Sequence, residues 1–205
     1  MTRIAVIDHG AGNLVSIGQG LAAAGAAVDV VERPEGLAGV DGIVLPGVGS
    51  AAAAFDRLEA AGFVEPLRAT SLPLLGICVG LQLLFDGSEE DGAGGLGRIP
   101  GRVRRLQGTP RLPHIGWNDL SIRRPDPVLR GVDDSDVFYF VHSYAPVPDD
   151  PADVVATSAY GPEFVAVARR GSAVGVQFHP ERSGPAGLGV LAAFVDGCRE
   201  AADAA

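Results

Sequence analysis

A cysteine between two glycines, together with a distant histidine and glutamate, is the combination in this sequence best suited to chemistry. Cys78 stands in Gly76-Ile77-Cys78-Val79-Gly80, and His179 and Glu181 stand in His179-Pro180-Glu181. A thiolate can attack a carbonyl carbon, an imidazole can transfer the proton, and a carboxylate can fix the tautomer and orientation of the imidazole. These residue types therefore predict a Cys–His–Glu triad for nucleophilic catalysis.

The residues on either side of Cys78 predict a tight turn from a strand into a helix. Pro73 to Ile77 is a short apolar run, which favours a strand buried on both faces of a parallel sheet. Val79 to Phe85 has apolar residues at helical spacing and no proline. Cys78 would then lie at a helix N-terminus, where the helix dipole favours the thiolate. The amide of Val79 would lack an intrahelical partner and could donate to an oxyanion.

Cys78 also has a second interpretation, because a lone cysteine in an apolar segment is commonly a small buried hydrophobic residue. The flanking glycines and the second motif both favour the nucleophile. If the segment after His179 is extended, residues two apart point the same way, so that His179 and Glu181 both reach the site. Gln82 lies one helical turn beyond Cys78, where its amide needs either a bound substrate or water as a partner.

The composition of the chain excludes several classes of protein. Its 205 residues include 16 basic and 25 acidic side chains, and the net charge of −9 argues against nucleic-acid binding. No apolar run reaches the length of a membrane span, and the N-terminus is not typical of a signal peptide. The two cysteines, Cys78 and Cys198, do not indicate a disulfide framework. We therefore expect a cytoplasmic protein with reduced thiols and no membrane association.

The first half of the chain alternates between predicted strands and helices. The strands are predicted at Arg3 to Asp8, Ala27 to Glu32, Gly42 to Pro46 and Pro73 to Ile77, and the helices end at about Ala24 or cover 51–60, 63–69 and 79–85. This alternation indicates a parallel sheet with right-handed crossovers, whose ligands bind at the carboxyl ends of the strands. Cys78, Asp8-His9-Gly10 and Pro46-Gly47-Val48 would all lie on that edge.

The second half of the chain does not continue this alternation of strands and helices. Gly87 to Gly97 is an acidic, glycine-rich segment and predicts a surface loop, whereas a final helix is expected at about 186–202. Short extended segments separated by turn residues predict antiparallel strands added to the parallel part. They cover Ile99 to Leu106, Ile115 to Ile122, Val137 to Pro146, Val154 to Ala159, Phe164 to Arg169 and Ala173 to Phe178.

Two further patterns allow more than one interpretation. The glycine-rich turn after the first strand, with Glu32 about 20 residues further on, is similar to a dinucleotide-binding turn, but Val15 at the third glycine position disfavours that function. A group of arginines is either a solvated face of a hairpin or a contact surface for an acidic or phosphate-bearing partner. The group comprises Arg98, Arg102, Arg104, Arg105 and Arg111.

The segment from Gly76 to Gln82, with His179-Pro180-Glu181, resembles the triad, or class I, glutamine amidotransferases. Within that family, further stretches over nearly the whole chain are similar to the glutaminase subunits of imidazole glycerol phosphate synthases. These stretches are Asp8-His9-Gly10-Ala11-Gly12-Asn13, Leu45-Pro46-Gly47-Val48-Gly49-Ser50, Pro113-His114-Ile115-Gly116-Trp117-Asn118, Phe138-Tyr139-Phe140-Val141-His142-Ser143-Tyr144 and Gly175-Val176-Gln177-Phe178-His179-Pro180-Glu181-Arg182-Ser183-Gly184.

The resemblance implies a flavodoxin-like, three-layer α/β fold with a parallel central sheet and an added antiparallel part, as a single amidotransferase domain over residues 1–205. It implies that Cys78 attacks the side-chain amide carbon of glutamine, and that His179, oriented by Glu181, protonates the departing ammonia. Val79 N–H and the Gly47–Val48 region would form the oxyanion hole. No cofactor and no metal are implied.

The resemblance also implies how the substrate and a partner are bound. Gln82 and the segment His142-Ser143-Tyr144 would hold the amino-acid end of glutamine. The ammonia would pass to the cyclase subunit of a heterodimer in histidine biosynthesis, with Trp117, Asn118 and Arg182 in or near the contact. Glycines flank the Gly47–Val48 peptide, so it could rotate. We therefore expect the isolated chain to be a poor glutaminase until the cyclase binds.

Some positions depart from the family, and some alternatives remain. The family usually has tyrosine in place of His9, leucine in place of Val79 and methionine in place of Leu81; the role of His9 is left open. A glutaminase subunit of pyridoxal-phosphate synthase shares the triad, but usually carries Gly-Gly-Glu-Ser in place of Pro46-Gly47-Val48-Gly49. A Cys–His peptidase would need an open groove, and a non-catalytic binding module of the same fold would not need all three triad residues.

Overall fold

The computed structural model describes residues 1–204, which contain five α-helices and thirteen strands. The helices are α1 (Leu14–Ala23), α2 (Ala51–Ala60), α3 (Val64–Ala69), α4 (Val79–Leu83) and α5 (Gly184–Asp203). The strands are β1 (Arg3–Ile7), β2 (Ala27–Val31), β3 (Gly42–Leu45), β4 (Leu74–Ile77), β5 (Gly87–Ser88), β6 (Gly101–Arg105), β7 (His114–Asn118), β8 (Ser121–Ile122), β9 (Phe138–His142), β10 (Tyr144–Pro148), β11 (Val154–Ala159), β12 (Glu163–Arg170) and β13 (Ala173–Val176). Short 3₁₀ helices cover Pro34–Leu37, Pro127–Leu129, Pro151–Asp153 and Pro180–Arg182.

The central sheet joins strands from both halves of the chain. Its order is β2-β1-β3-β4-β13-β12-β11-β8. The first five strands are mutually parallel, and the remaining three pair antiparallel. Counted along the chain, the parallel part has the order 2-1-3-4-5 of flavodoxin-like sheets. The predicted fold class, a parallel sheet with an added antiparallel part, is confirmed.

The glycines of the sheet show that helices cover both of its faces. A Cβ at Gly42 in β3 would meet the sulfur of Cys198 in α5, so this face of the sheet lies under α5. A Cβ at Gly76 in β4 would meet α4 instead. Gly76 pairs with Leu45, three residues beyond Gly42 in β3, and odd spacing along a strand places side chains on opposite faces. Helices α4 and α5 therefore lie on opposite sides, which gives three layers.

Two predicted strands are each divided into two, because each half pairs with a different sheet. The strand predicted at Ile115 to Ile122 separates into β7, which pairs with β9, and β8, which joins the edge of the central sheet. The strand predicted at Val137 to Pro146 is interrupted at Ser143, where the chain passes from β9 to β10 and its new partner β6. The prediction of one continuous strand in each region is wrong.

The predicted arginine group does not form one surface. Arg98 is partly buried and donates to the carbonyls of Leu67, Arg68 and Thr70 and to the hydroxyl of Ser172. It therefore satisfies carbonyl groups at the end of α3 that have no intrahelical donor. The other four arginines of the group are exposed.

Within residues 1–204, none of the helices combines the length and the apolar character that a membrane span requires.

Candidate active site

The central strand β4 ends directly at Cys78, and the adjacent strand β13 leads to His179. Because the two strands are parallel neighbours, their carboxyl ends bring these residues to one edge of the sheet. Cys78 has a φ of 53° and a ψ of −107°, which is a strained conformation for a residue with a side chain. This turn requires its glycines, since a Cβ on Gly80 would lie 1.8 Å from the carbonyl oxygen of Leu45. The predicted sharp turn at Cys78 is present.

Helix α4 is shorter than predicted and ends at Leu83 rather than Phe85. The amides of Leu84 and Phe85 donate to carbonyls three residues back, as in a tightened final turn. Val79 and Gln82 lie within the shortened helix, so the geometry expected next to Cys78 is unchanged.

The imidazole of His179 is held by the carboxylate of Glu181. Nδ1 of His179 lies 3.0 Å from Oε1 of Glu181, and both side chains are almost completely buried. The pair forms through the 3₁₀ turn Pro180–Arg182, so the predicted extended geometry of this segment is wrong although both residues reach the site. The hydroxyl of Ser183 donates to the carbonyl of His179 and fixes the turn. This arrangement directs the Nδ1–H of His179 towards the carboxylate of Glu181, so Nε2 is the nitrogen that can exchange a proton with a substrate.

The environment of His179 keeps its imidazole protonated. Burial of the ring lowers its pKa, but the neighbouring side chains of Cys78 and Glu181 together outweigh burial and raise this pKa to about 10. Nε2 is buried without a hydrogen-bond partner among residues 1–204. At neutral pH an imidazolium therefore stands beside Cys78, ready to stabilise a thiolate and to give a proton to a leaving group.

Gln177 is a site residue whose role was not predicted from the sequence. Its side chain is completely buried, and Nε2 lies 3.6 Å from the sulfur of Cys78 as a donor. Its Oε1 accepts a hydrogen bond from Nε2 of Gln82 at 3.2 Å. The only signal in the sequence was an amide within an apolar predicted strand, Ala173 to Phe178, because such a group needs polar partners if it is buried.

A cavity of about 280 Å³ opens in front of Cys78. This volume is just below the range of drug-sized pockets, about 300–1,000 Å³, and suits a small metabolite. Of the predicted site residues, the cavity is lined by Val48, Cys78, Val79, Gln82, His142, Ser143, Tyr144 and His179. Gly49, Glu90, Pro113 and Val141 also line it, and they were not predicted. Gly47, Trp117, Asn118, Glu181 and Arg182 do not line it.

The segment predicted to complete the oxyanion hole packs on the turn at Cys78. A Cβ on Gly47 would lie 2.8 Å from Cβ of Val79 and 3.0 Å from the nitrogen of Gly80, so only glycine permits this approach. His9, whose role the sequence left open, is buried and donates from Nε2 to the carbonyl of Pro46 at 2.8 Å. His9 therefore anchors the start of this segment.

Two polar side chains in the cavity suit an amino-acid ligand. Nε2 of Gln82 donates to the carbonyl of Tyr144 at 3.1 Å as well as to Gln177, whereas its amide oxygen is not used by these bonds. Glu90 accepts the amide of Ala51 at 2.7 Å through Oε2. Its carboxylate gives the cavity a negative group that could receive an ammonium. Glu90 lies in an acidic segment with Glu89 and Asp91, and nothing in the sequence distinguishes it from them.

The ribbon formed by β7 and β9 has an exposed apolar face beside the cavity. We call Ile115, Trp117, Tyr139 and Val141 the ribbon face, because Ile115 pairs with Val141 and Trp117 with Tyr139. Ile115 is 59% exposed and Trp117 54%. The guanidinium of Arg182 lies 4.2 Å from the ring centroid of Tyr139, in a cation–π contact.

Asn118 belongs to the opposite side of the same ribbon. Its Oδ1 lies 2.8 Å from Nε2 of His114, and its Nδ2 donates to the carbonyl of Ala159 at 2.8 Å. The predicted contact residues are therefore divided. Trp117 belongs to the ribbon face and Arg182 contacts it, whereas the amide of Asn118 is hydrogen-bonded within the protein.

Among residues 1–204, no group of three His, Cys, Asp or Glu side chains is arranged to hold a metal ion.

Comparisons with known proteins bear on this geometry. A family model described as Glutamine amidotransferase class-I matches residues 5–197. The chain is 50% identical over 201 residues to imidazole glycerol phosphate synthase subunit HisH of Synechococcus sp. (strain JA-3-3Ab), covering 95% of this chain and 93% of that protein. It is 44% identical to the subunit HisH of Moorella thermoacetica, covering 100% and 99% of the two chains.

Solved structures are similar in fold. The crystal structure of a putative GMP synthase protein from Thermoplasma acidophilum superposes with a TM-score of 0.75 at 22% identity, covering 100% of this chain and 97% of that one. The structure of PurLQS from Thermotoga maritima gives a TM-score of 0.73 at 21% identity, covering 95% and 98%.

Proposed function

The chain belongs to the class I glutamine amidotransferase family, and we propose that it is the glutaminase subunit of an imidazole glycerol phosphate synthase. It hydrolyses glutamine to glutamate and ammonia for histidine biosynthesis. The observation that carries the proposal is the contact of His179 with Glu181 beside the strained Cys78, where His179 and Cys78 line a small cavity. We further propose that the chain forms one amidotransferase domain, since the central sheet joins β1–β4 from the first half of the chain to β8 and β11–β13 from the second half.

The proposed reaction has two stages. The thiolate of Cys78 attacks the side-chain amide carbon of glutamine, and the negative oxygen is held by the N–H groups of Val79 and Val48. The imidazolium of His179 gives its Nε2 proton to the amide nitrogen, which leaves as ammonia and produces a glutamyl thioester. The neutral imidazole then takes a proton from water, the resulting hydroxide attacks the thioester, and the thiolate leaves as glutamate is released.

The donors near the cavity support this assignment of the oxyanion. Gly47 packs against Val79 and Gly80, which brings the two backbone segments together on one side of Cys78. Gln177 donates to the sulfur from within the protein and so orients the thiolate towards the cavity. Gln177 is a positioning residue in this account, because it contacts the nucleophile and not the substrate.

Glu90 is proposed to bind the α-ammonium group of glutamine, while the segment His142-Ser143-Tyr144 binds the α-carboxylate. Removing the charge by Glu90→Gln is expected to raise KM for glutamine roughly tenfold to hundredfold, because a charge-assisted hydrogen bond contributes about 1.5–3 kcal/mol. Glutamine at position 90 can still accept the amide of Ala51, so kcat should change little. Steady-state kinetics measure both constants.

Glu89→Gln is the matched control, since Glu89 is adjacent, exposed and directed towards Arg104. An unchanged KM in Glu90→Gln, or an equal change in both variants, would contradict the role of Glu90.

The partner is proposed to be the cyclase subunit, in a heterodimer that covers the ribbon face. Ammonia released into neutral water is mostly protonated and loses its nucleophilicity, so a partner that closes the cavity is needed for transfer. Two observations support the ribbon face as the contact: Val141 belongs both to this face and to the cavity lining, and Trp117 is a large exposed aromatic residue.

A cytoplasmic location is also proposed, as expected from the sequence, and the free thiols of Cys78 and Cys198 agree with it.

Trp117→Ala is expected to weaken binding of the cyclase by about 2 kcal/mol or more, close to thirtyfold in Kd, because large aromatic residues at an interface centre contribute most of the affinity. Arg182→Ala should also weaken binding, because Arg182 orders Tyr139 of the ribbon face, but by less than Trp117→Ala. Titration calorimetry with the purified cyclase measures both.

Val147→Ala provides the control for the loss of exposed apolar surface, because Val147 is 49% exposed on β10, outside the ribbon face. If Trp117→Ala and Arg182→Ala left both the affinity and the glutamine-dependent product formation unchanged, the partner would not bind this face.

A further inference from the structure

Two buried imidazoles lie side by side behind the cavity and connect it to β7. His114 is 1% exposed and His142 is 6% exposed. Nδ1 of His114 lies 3.2 Å from Nε2 of His142. At the two ends, Nδ1 of His142 lies 2.8 Å from the carbonyl oxygen of Tyr144, and Nε2 of His114 lies 2.8 Å from Oδ1 of Asn118. His142 also lines the cavity, so the chain of contacts reaches the proposed substrate site.

The hydrogen count of this chain of contacts fixes its charge. The Tyr144 carbonyl can only accept, so Nδ1 of His142 must carry a hydrogen. Oδ1 of Asn118 also accepts, because the amide orientation is fixed by the bond from Nδ2 to the carbonyl of Ala159. Nε2 of His114 must therefore carry a hydrogen too. The contact between the rings requires a third hydrogen, whereas two neutral imidazoles have only two. All the contacts are hydrogen-bonded only when the pair carries one positive charge.

The surroundings of the pair oppose that charge in the free protein. Burial lowers the pKa of His142 to about 4, and burial also lowers the pKa of His114. The titratable side chains around the pair are Tyr160, stacked on His114, and His179, whose charge lowers the pKa of His142 further. Cys78 and Glu90 line the same cavity as His142, but their hydrogen bonds go to other groups: Glu90 accepts the amide of Ala51, and the sulfur of Cys78 contacts Val141 and Gln177. Among residues 1–204, no negative group is hydrogen-bonded to either ring of the pair. At neutral pH the free pair is therefore neutral, and one of its contacts lacks a hydrogen.

We propose that the His114–His142 pair takes up one proton when the α-carboxylate of glutamine enters the cavity beside His142. This inference rests on the proposed function, because it takes glutamine as the ligand. The carboxylate provides the missing negative charge, and the proton comes from solvent and completes the hydrogen bonds. The Tyr144 carbonyl accepts from both His142 and Gln82, so the protonated pair fixes the strand that holds Gln82 against the substrate. His114 and His142 are thus positioning residues that detect a carboxylate.

Proton uptake can be measured by calorimetry of glutamine binding in buffers that differ in ionisation enthalpy. Cys78→Ala protein is used so that glutamine is not hydrolysed. At pH 7.5 we expect close to one proton taken up per glutamine bound, by linkage of protonation to binding. In the His114→Phe background, which keeps an aromatic ring stacked on Tyr160, we expect uptake near zero. 4-Aminobutanamide, which is glutamine without its α-carboxylate, should bind without uptake.

The chain has four histidines, so imidazole nitrogen NMR locates the proton without a substitution in the pair. Signals of His114 or His142 should change from neutral to charged when glutamine is added. Binding without uptake, or uptake located at His9 or His179, would overturn this inference while leaving the glutaminase proposal intact. Failure of glutamine to bind at all would contradict the proposed function itself.

Discussion

Cys78→Ala is expected to abolish glutamine hydrolysis, with a loss of about 10⁶ in kcat, because no other group in the cavity can form the thioester. The variant should fold normally, since the change removes one buried sulfur atom and keeps the glycines on which the turn depends. Glutamate release from glutamine, in the presence of the cyclase and its ligand, measures the loss. Circular dichroism and thermal unfolding check that the fold is retained.

Cys198→Ala is the matched control, because Cys198 is completely buried under β3 and burial raises its pKa to about 12. A thiol in that state is not a nucleophile at neutral pH. His179→Ala should approach the loss of Cys78→Ala, and Glu181→Gln should lose less, because Glu181 orients the imidazole without exchanging a proton with substrate. Nearly normal turnover in Cys78→Ala would refute the mechanism.

Binding of the cyclase with its ligand is expected to raise glutamine turnover by about 10²–10³, which is the effect of gaining one oxyanion donor. The peptide between Gly47 and Val48 would supply that donor through the N–H of Val48. Gly47 and Gly49 flank this peptide, and Gly49 has a φ of +83°, so the peptide can rotate at low steric cost. His9 does not prevent the rotation, because it binds only the carbonyl of Pro46 at the start of the segment. The partner would need to favour the donor-in geometry by about 3–4 kcal/mol.

This activation is measured by comparing turnover for the chain alone, with the cyclase, and with the cyclase plus its ligand. The expected increase lies in kcat and not in KM, because an oxyanion donor acts on the transition state. If the chain alone were as fast as the liganded complex, the oxyanion hole would be preformed and the switch would not exist.

The parallel half of the fold was predictable from the sequence because its information is local. Each strand from Arg3 to Ile77 is a short, mostly apolar run followed by a helical segment, and this alternation determines both the direction and the handedness of the connections. The antiparallel half depends on pairing between distant segments. No residue near Ser143 indicates that the chain stops pairing with β7 and begins to pair with β6 there. That change depends on partners 28–39 residues away, as in the pairs His114–His142 and Tyr144–Arg105.

The site was predictable where reactivity identifies a residue type. A thiol between glycines, a histidine and a carboxylate are uncommon together, so Cys78, His179 and Glu181 could be chosen without a structure. Gln177, Glu90 and His9 could not be chosen in the same way, since their contributions come from contacts. Gln177 reaches the sulfur, Glu90 turns into the cavity from a loop, and His9 meets a carbonyl 37 residues away.

The most direct test of the proposed function is covalent labelling by a glutamine analogue whose side-chain amide is replaced by a diazoketone. The imidazolium of His179 protonates the carbon that bears the diazo group, the thiolate displaces dinitrogen from that carbon, and a stable thioether is formed. The chain is incubated with the analogue and the cyclase, digested, and its two cysteine-containing peptides are compared by mass spectrometry. We predict one label per chain, on Cys78 and not on Cys198, with loss of activity in proportion and protection by glutamine. Labelling of Cys198, or full activity after complete labelling of Cys78, would contradict the account.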